Sequence, residues 1–140
     1  MVARLLSVVV AGTLGWMGVA SAQDDQVNIY NWAEYTAEDT IPGFERQSGK
    51  KVQYDTYDSN DTLQAKLLTG SSGYDIVVPS THYAKRQIEA GLFQKLDKSK
   101  IPNWKNLDPA IMELLTPVDP NNEYLVPWGY GTNALGFNVT

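Results

Sequence analysis

The sequence contains no cysteine, a single histidine and, after Ala20, no long apolar run. Without cysteine the chain cannot form disulfide bonds, use a thiol in catalysis, or bind zinc or iron-sulfur centres through thiolates. Its domain must therefore rely on a packed core, because no covalent cross-link holds the chain together. No segment after Ala20 is long and apolar enough to cross a bilayer, so we expect a soluble mature chain without membrane insertion.

Basic residues are also few. The chain has 11 Lys and Arg against 16 Asp and Glu, which gives a formal net charge of −5 at pH 7. Nucleic acids are bound through clustered lysine and arginine, so this balance argues against a nucleic-acid partner. An excess of carboxylates is compatible with a cationic ligand.

Residues 1–22 have the pattern of a secretory signal peptide. Arg4 precedes an apolar stretch from Leu5 to Ala20, and the small residues Ala20-Ser21-Ala22 come before a polar segment. The apolar stretch is short for a membrane span, which favours a cleaved signal peptide over a retained amino-terminal anchor. We therefore expect cleavage after Ala22 and export of the remainder.

Strand-like and helix-like segments alternate along the rest of the chain, which predicts an α/β fold with a parallel, twisted sheet. A continuous apolar run such as Ile76-Val77-Val78 is typical of a buried parallel strand. Pro42 falls inside the first helical pattern, so that helix either begins near it or kinks there. The predicted strands and extended segments are Val27 to Asn31, Lys51 to Tyr57, Ile76 to Val78, Tyr124 to Pro127 and Ala134 to Asn138. The predicted helices run from a cap at Thr36 toward Gln47, from a cap within Asp58-Ser59-Asn60 through Leu63, Leu67 and Leu68 on one face, from Ser80 or Thr81 toward Ala90, and from Asp108 to Leu115.

Aromatic and polar residues follow two of the predicted strands. The segment from Tyr30 to Tyr35 contains an indole, two phenols and a carboxylate, and the segment from Asp75 to Tyr83 continues past the third strand. The carboxyl ends of neighbouring parallel strands meet at one edge of a sheet, where ligands bind. Rings attract ammonium groups and carboxylates neutralise them. This pattern predicts a receptor for an organic amine.

Several segments together resemble, in the same order, the periplasmic polyamine-binding proteins of ABC transporters, the receptors for putrescine and spermidine. The resemblance covers Val27 to Val139 and implies an α/β fold of the two-lobed periplasmic binding protein type (type II). It implies a receptor that closes on its ligand and delivers it to a membrane permease. The segments are Tyr30-Asn31-Trp32-Ala33-Glu34-Tyr35, Tyr57-Asp58-Ser59-Asn60, Tyr74-Asp75-Ile76-Val77-Val78-Pro79-Ser80, Asp97-Lys98-Ser99-Lys100 and Asn106-Leu107-Asp108-Pro109.

Members of this family are much longer than this chain, so the resemblance implies an amino-terminal fragment. Residues 23–128 would form most of the first lobe, and residues 129–140 would begin the crossover to the second lobe. The same resemblance implies a periplasmic monomer without enzymatic activity, cofactor or bound metal.

By the same resemblance, Trp32 lies along the methylene groups of the ligand, Glu34 and Tyr35 lie near a terminal ammonium, and Ser80 offers an oxygen to an amine. Ala33 and His82 complete the predicted ligand-binding set but depart from the family pattern. Ala33 stands where Ser or Thr is more usual. His82 replaces the Ser of putrescine-type and the Tyr of spermidine-type receptors, so the preferred ligand length stays open. A histidine in the cleft would repel the ligand once protonated, which would make binding depend on pH.

Two other classes of protein remain as alternatives. Two-lobed relatives can bind ferric ion through tyrosines, and this chain has eight Tyr and one His. A hydrolase would use Glu34 with Asp58 or Asp75 as paired carboxylates, but no nucleophile motif accompanies them. We therefore predict ligand binding without catalytic turnover.

Overall fold

The computed structural model describes residues 25–131 and residue 136. Within this part of the chain, three parallel strands form a sheet in the order β2-β1-β3. The strands are β1 (Gln26–Trp32), β2 (Lys51–Tyr57) and β3 (Ile76–Val77). The α-helices are α1 (Thr40–Ser48), α2 (Asn60–Leu67), α3 (Thr81–Glu89) and α4 (Pro109–Leu115), and Lys98–Lys100 and Pro102–Asn106 form short 3-10 helices. The alternation of strands and helices confirms the predicted α/β fold. The predicted signal peptide and the extended segment from Ala134, apart from residue 136, lie outside the described residues.

The register of the sheet brings two aromatic residues to the same edge. β1 pairs with β2 along its whole length, and the last pair is Trp32 with Tyr57. β3 is shorter and pairs with β1 only through Ile76 and Val77. Because all three strands are parallel, the segments that follow them leave the sheet at one edge. This edge is where the sequence predicted a ligand.

The core of the described region lies between the sheet and α2. Ser59 is the N-cap of α2, and its hydroxyl accepts a hydrogen bond from the Thr62 backbone N–H at 3.1 Å. This hydrogen bond confirms one of the predicted capping residues and fixes the residue at which α2 begins. Leu63 is completely buried and packs with Leu67 and Tyr57. Partly buried side chains surround this cluster, namely Tyr30, Trp32, Val77, Leu92 and Phe93.

The first helix begins near Pro42, which is one of the two arrangements that the sequence allowed, and not directly after Thr36. α1 starts at Thr40, and Asp39 occupies its N-cap position without a side-chain hydrogen bond. A helix that began after Thr36 would place Pro42 in its interior, where the ring would clash with the carbonyl four residues earlier. With the observed start, Pro42 lies in the first turn, where backbone N–H groups have no helical partner in any case.

Two further expectations, both about burial, were wrong. Leu68 is 61% exposed because it caps the end of α2 instead of extending its buried face. Ile76 is 46% exposed because, among the described residues, β3 has a neighbour on one side only. The segment from Tyr124 to Pro127, which the sequence predicted to be extended, belongs to no strand of the described sheet.

A buried carboxylate holds the start of the segment from Tyr124 to Pro127. Asp119 is 2% exposed and accepts three backbone hydrogen bonds, from the N–H groups of Glu123 at 2.9 Å, Tyr124 at 2.8 Å and Leu125 at 3.0 Å. Hydrogen bonds to a charged group are stronger than those between neutral groups. The carboxylate therefore fixes this loop without regular secondary structure.

Three tyrosine rings pack on one another across the sheet. Tyr30 stacks on Tyr74 with ring centroids 4.5 Å apart, and it meets Tyr57 edge-on at 4.8 Å. The Tyr74 hydroxyl donates to Asp55 at 2.9 Å. Burial, together with this hydrogen bond, raises the pKa of Tyr74 from 10.0 to about 12. The fold thus favours the neutral phenol.

This shift predicts a loss of stability in alkali. The contribution of the neutral Tyr74 hydroxyl is complete below pH 10.0, the unfolded value, and is lost as the pH rises to about 12. In the full-length gene product, the urea midpoint should decrease as the pH is raised from 10.0 to about 12. Tyr74→Phe, which keeps the ring stacking, should make this decrease smaller. Tyr130→Phe at a position that is 80% exposed is the control. Identical pH profiles for the wild type and Tyr74→Phe would contradict this expectation.

Candidate ligand-binding site

One backbone carbonyl joins the ends of all three strands at the predicted ligand-binding edge. The Val78 carbonyl, directly after β3, accepts a hydrogen bond from the Trp32 indole N–H at 2.9 Å and another from the Tyr57 hydroxyl. The Trp32 and Tyr57 rings also touch, with centroids 4.7 Å apart. Burial raises the pKa of Tyr57, so its hydroxyl remains a hydrogen-bond donor to a higher pH than that of an exposed tyrosine. These contacts fix the orientation of the indole.

The loop after β1 presents the other predicted residues to solvent. Ala33, Glu34 and Tyr35 are all exposed, and the Tyr35 ring lies 6.3 Å from the Trp32 ring. Glu34 has a φ of 61°, in the left-handed region that residues with side chains seldom adopt. Such backbone strain is concentrated at functional sites. The loop therefore places a carboxylate and a phenol beside an immobilised indole.

Trp128 supports this loop from a distant part of the chain. Its indole N–H donates to the Tyr35 carbonyl at 3.1 Å, while its side chain is 52% exposed. Tyr130, two residues further along the chain, is 80% exposed. The indole N–H of Trp128 satisfies a carbonyl of the candidate site and its ring remains accessible.

Ser80 lies at the start of α3 and is held by Asn60. The Asn60 side chain donates to the Ser80 hydroxyl at 2.9 Å and accepts from the Ser80 backbone N–H at 2.9 Å. Ser80 occupies the N-cap position of α3, but its side chain does not cap the helix. The Asn60 donor uses one of the two lone pairs that a serine oxygen offers. The amino-terminal end of a helix is electropositive, so an ammonium near Ser80 would need a carboxylate close by.

The structure places His82 in a different set of contacts. It is exposed on the first turn of α3, and its ring meets Tyr83 edge-on at 4.9 Å. The Arg86 guanidinium lies 4.4 Å from the centre of the Tyr83 ring, and the Tyr83 hydroxyl donates to Asp61 at 2.5 Å. The described contacts thus join Trp32 and Tyr35 to the β3 end, whereas His82 belongs to the surface of α3. Its role in binding remains a prediction.

A groove beside the loop contains residues that sequence reasoning had not placed in the site. It has a volume of about 370 Å³ and is lined by Ala33, Thr56, Tyr57, Asp58 and Thr62. The sequence had assigned Asp58 to turn and capping chemistry. Its position follows from the register of the sheet, because β1 and β2 end together and the residues that follow them are neighbours. The groove adds a second exposed carboxylate to this edge of the sheet.

The described part of the chain has neither a cluster of metal-ligating side chains nor a membrane-spanning helix. In residues 25–131 and 136, no three His, Cys, Asp or Glu side chains are grouped so that they could hold a metal ion. Among the helices in the same part of the chain, none is both long enough and apolar enough to cross a membrane.

Comparison with known proteins identifies relatives over nearly the whole chain. The profile of the bacterial extracellular solute-binding protein family matches residues 23–140. The chain is 50% identical over 135 residues to a putrescine-binding periplasmic protein of Pseudomonas aeruginosa and 47% identical over 138 residues to one of Escherichia coli. These alignments cover 96% and 97% of this chain but only 36% and 37% of the relatives. The chain therefore spans about a third of the length of the curated relatives it matches.

Solved structures show the same similarity. The TpPotD lipoprotein of Treponema pallidum superimposes with a TM-score of 0.67 at 40% identity, covering 71% of this chain and 31% of that chain. The substrate-binding protein PotD of a spermidine/putrescine ABC transporter from Streptococcus pneumoniae gives a TM-score of 0.61 at 32% identity, covering 64% of this chain and 28% of that chain. These matches confirm the resemblance and the fold class predicted from the sequence. The family is one of solute-binding proteins, which also confirms the prediction that the chain is not an enzyme. The chain belongs to the bacterial extracellular solute-binding protein family.

Proposed function

We propose that the full-length protein captures a polyamine, putrescine or spermidine, outside the cytoplasm and delivers it to the permease of an ABC transporter. The observation that carries this proposal is the indole of Trp32, which is fixed at the sheet edge beside the exposed Glu34 and Tyr35. The relatives named for binding putrescine and spermidine support the ligand class.

The chemistry of these residues suits a chain of methylenes between ammonium groups. Trp32 provides an apolar face for the methylenes, and a cation over an aromatic ring gains roughly 0.5 to 2 kcal/mol depending on desolvation. Glu34 supplies the carboxylate for a charge-assisted hydrogen bond, and Tyr35 supplies a phenolic oxygen. Ser80 offers a further acceptor, and Ala33 and His82 complete the proposed set of ligand-binding residues. The ligand would bridge two lobes, and closure would exclude water from the ammonium contacts.

The domain organisation belongs to the same proposal. Residues 1–22 are a signal peptide, residues 23–128 are most of the first lobe, residues 129–140 begin the crossover, and the mature protein is a periplasmic monomer. Loss of Arg4 with the signal peptide leaves 10 basic and 16 acidic residues in this chain, a net charge of −6 that attracts a polycation. Amino-terminal sequencing of the exported protein should begin at Gln23. A membrane-bound product that retains residues 1–22 would contradict this arrangement.

Calorimetric titration tests the ligand directly. The full-length gene product without its signal peptide should be unfolded and refolded to remove bound ligand, and putrescine and spermidine should then be titrated separately. Tight, saturable binding of at least one is the expected result. A protein that melts cooperatively but binds neither at two temperatures would overturn the polyamine proposal. Iron-dependent visible absorbance on addition of ferric ion would instead favour the ferric-ion alternative.

A further inference from the structure

The groove beside the candidate site extends its aromatic surface. Trp32 and Tyr57 form the last pair of the β1–β2 register, and their rings are in contact. Tyr57 lines the groove, and Ala33 and Asp58, the residues that follow the two strands, line it as well. A ligand that lies on the Trp32 ring can therefore continue into this space. Its volume of about 370 Å³ is within the range of small-molecule sites.

Asp58 is the charged residue among the groove-lining side chains, and its carboxylate is weakly engaged. One of its oxygens accepts from the Thr62 hydroxyl at a long distance of 3.4 Å. The ion pairs in the described part of the chain involve other carboxylates, those of Glu45, Asp97 and Glu123. Asp58 is also exposed, so a cation that enters the groove can reach it. The groove thus combines one available carboxylate with an aromatic wall and two threonines.

The size of residue 33 keeps the groove open. Ala33 contributes a single methyl group to the lining, and Thr56 and Thr62 add short side chains with hydroxyl oxygens. No lining residue carries a positive charge that would compete with an ammonium for Asp58. These features match the ammonium end of an amine chain that extends beyond the Trp32 ring. They do not match an anion, which the Asp58 carboxylate would repel.

We propose that this groove binds an additional ammonium group of an extended polyamine, so that Asp58 favours a triamine over a diamine. The inference rests on the proposed function, since it requires one part of the ligand to lie on Trp32. A triamine differs from a diamine by one further charged amine on a short arm. That arm can place its ammonium against Asp58, whereas a diamine engages the residues around Trp32 and leaves the groove to water.

The test compares putrescine and spermidine affinities for the full-length wild type and the Asp58→Asn variant at physiological ionic strength. Asparagine keeps the shape and removes the charge, so the spermidine Kd should rise about tenfold, the effect of one hydrogen bond to a charged group. The putrescine Kd should change less than about twofold. Asp39→Asn, which removes an exposed carboxylate outside the groove, controls for the general loss of negative charge and should leave both affinities unchanged.

Each other outcome has a defined meaning. Equal weakening of both ligands by Asp58→Asn, or the same weakening by Asp39→Asn, would show a general charge effect and overturn the groove assignment. Unchanged spermidine affinity in a variant that melts like the wild type would overturn it too, while leaving the polyamine receptor intact. Absence of binding of either amine to the wild type would overturn the proposed function and, with it, this inference.

Discussion

Replacement of Trp32 by alanine should weaken polyamine binding by about 30-fold or more, the effect expected when a residue worth about 2 kcal/mol is removed from an interface. The indole provides the apolar face for the methylenes and the π-surface for an ammonium, and alanine provides neither. Trp32→Phe keeps a ring but loses the hydrogen bond to the Val78 carbonyl, so it should show an intermediate loss. Calorimetric titration of the full-length protein with the better-bound polyamine measures both effects.

The control for this experiment is a second tryptophan outside the candidate site. Trp104 lies in the 3-10 helix Pro102–Asn106, where the Lys98 ammonium is 4.9 Å from the ring centre. Trp104→Ala should leave the Kd within about twofold of the wild type, because this ring already faces a cation of the protein. A Trp32→Ala protein that melts like the wild type and binds with unchanged affinity would remove Trp32 from the site.

Leu63→Ala should be the most destabilising single change in the described core, by about 3 kcal/mol. Leu63 is completely buried between Tyr57 and Leu67, so truncation loses the transfer free energy of the side chain and leaves a cavity. The chain provides a matched control at the end of the same helix. Leu68 is 61% exposed, and Leu68→Ala should change stability by less than about 0.5 kcal/mol.

The two leucine variants should be compared by urea and thermal unfolding, followed by circular dichroism. The Leu63→Ala midpoints should fall well below those of the wild type, and the Leu68→Ala midpoints should stay close to them. Equal shifts for both variants would mean that the core of the full-length protein is not centred on Leu63. A rank order reversed between the two would mean that Leu68 is covered by another part of the protein.

Local patterns were sufficient to predict the elements with strong end signals. The alternation from Lys51 to Tyr57 defines β2, the serine cap defines the start of α2, and Asp108 followed by Pro109 defines the start of α4. In each case the residues that determine the boundary are adjacent in sequence. Gly49, which follows α1 with a φ of 73°, is a further example, because a left-handed residue at a helix end favours glycine.

Features that depend on distant residues could not be predicted in this way. The exposure of Ile76 depends on which strand lies beside β3, and the groove at Asp58 depends on the register of β1 and β2. The Asp119 carboxylate accepts hydrogen bonds from backbone N–H groups, and the order of side chains in the sequence does not indicate such contacts. The ligand-binding roles of the predicted residues rest on family resemblance and remain predictions.

The shared Val78 carbonyl has a consequence for the energetics of capture. Two large side chains, those of Trp32 and Tyr57, are immobilised by this one acceptor before any ligand arrives. The conformational entropy of these side chains is thus lost during folding and does not reduce the free energy of association. In the proposed receptor the indole would therefore act as a rigid platform, and flexibility would be lost on binding through domain closure and not through local rearrangement at the strand ends.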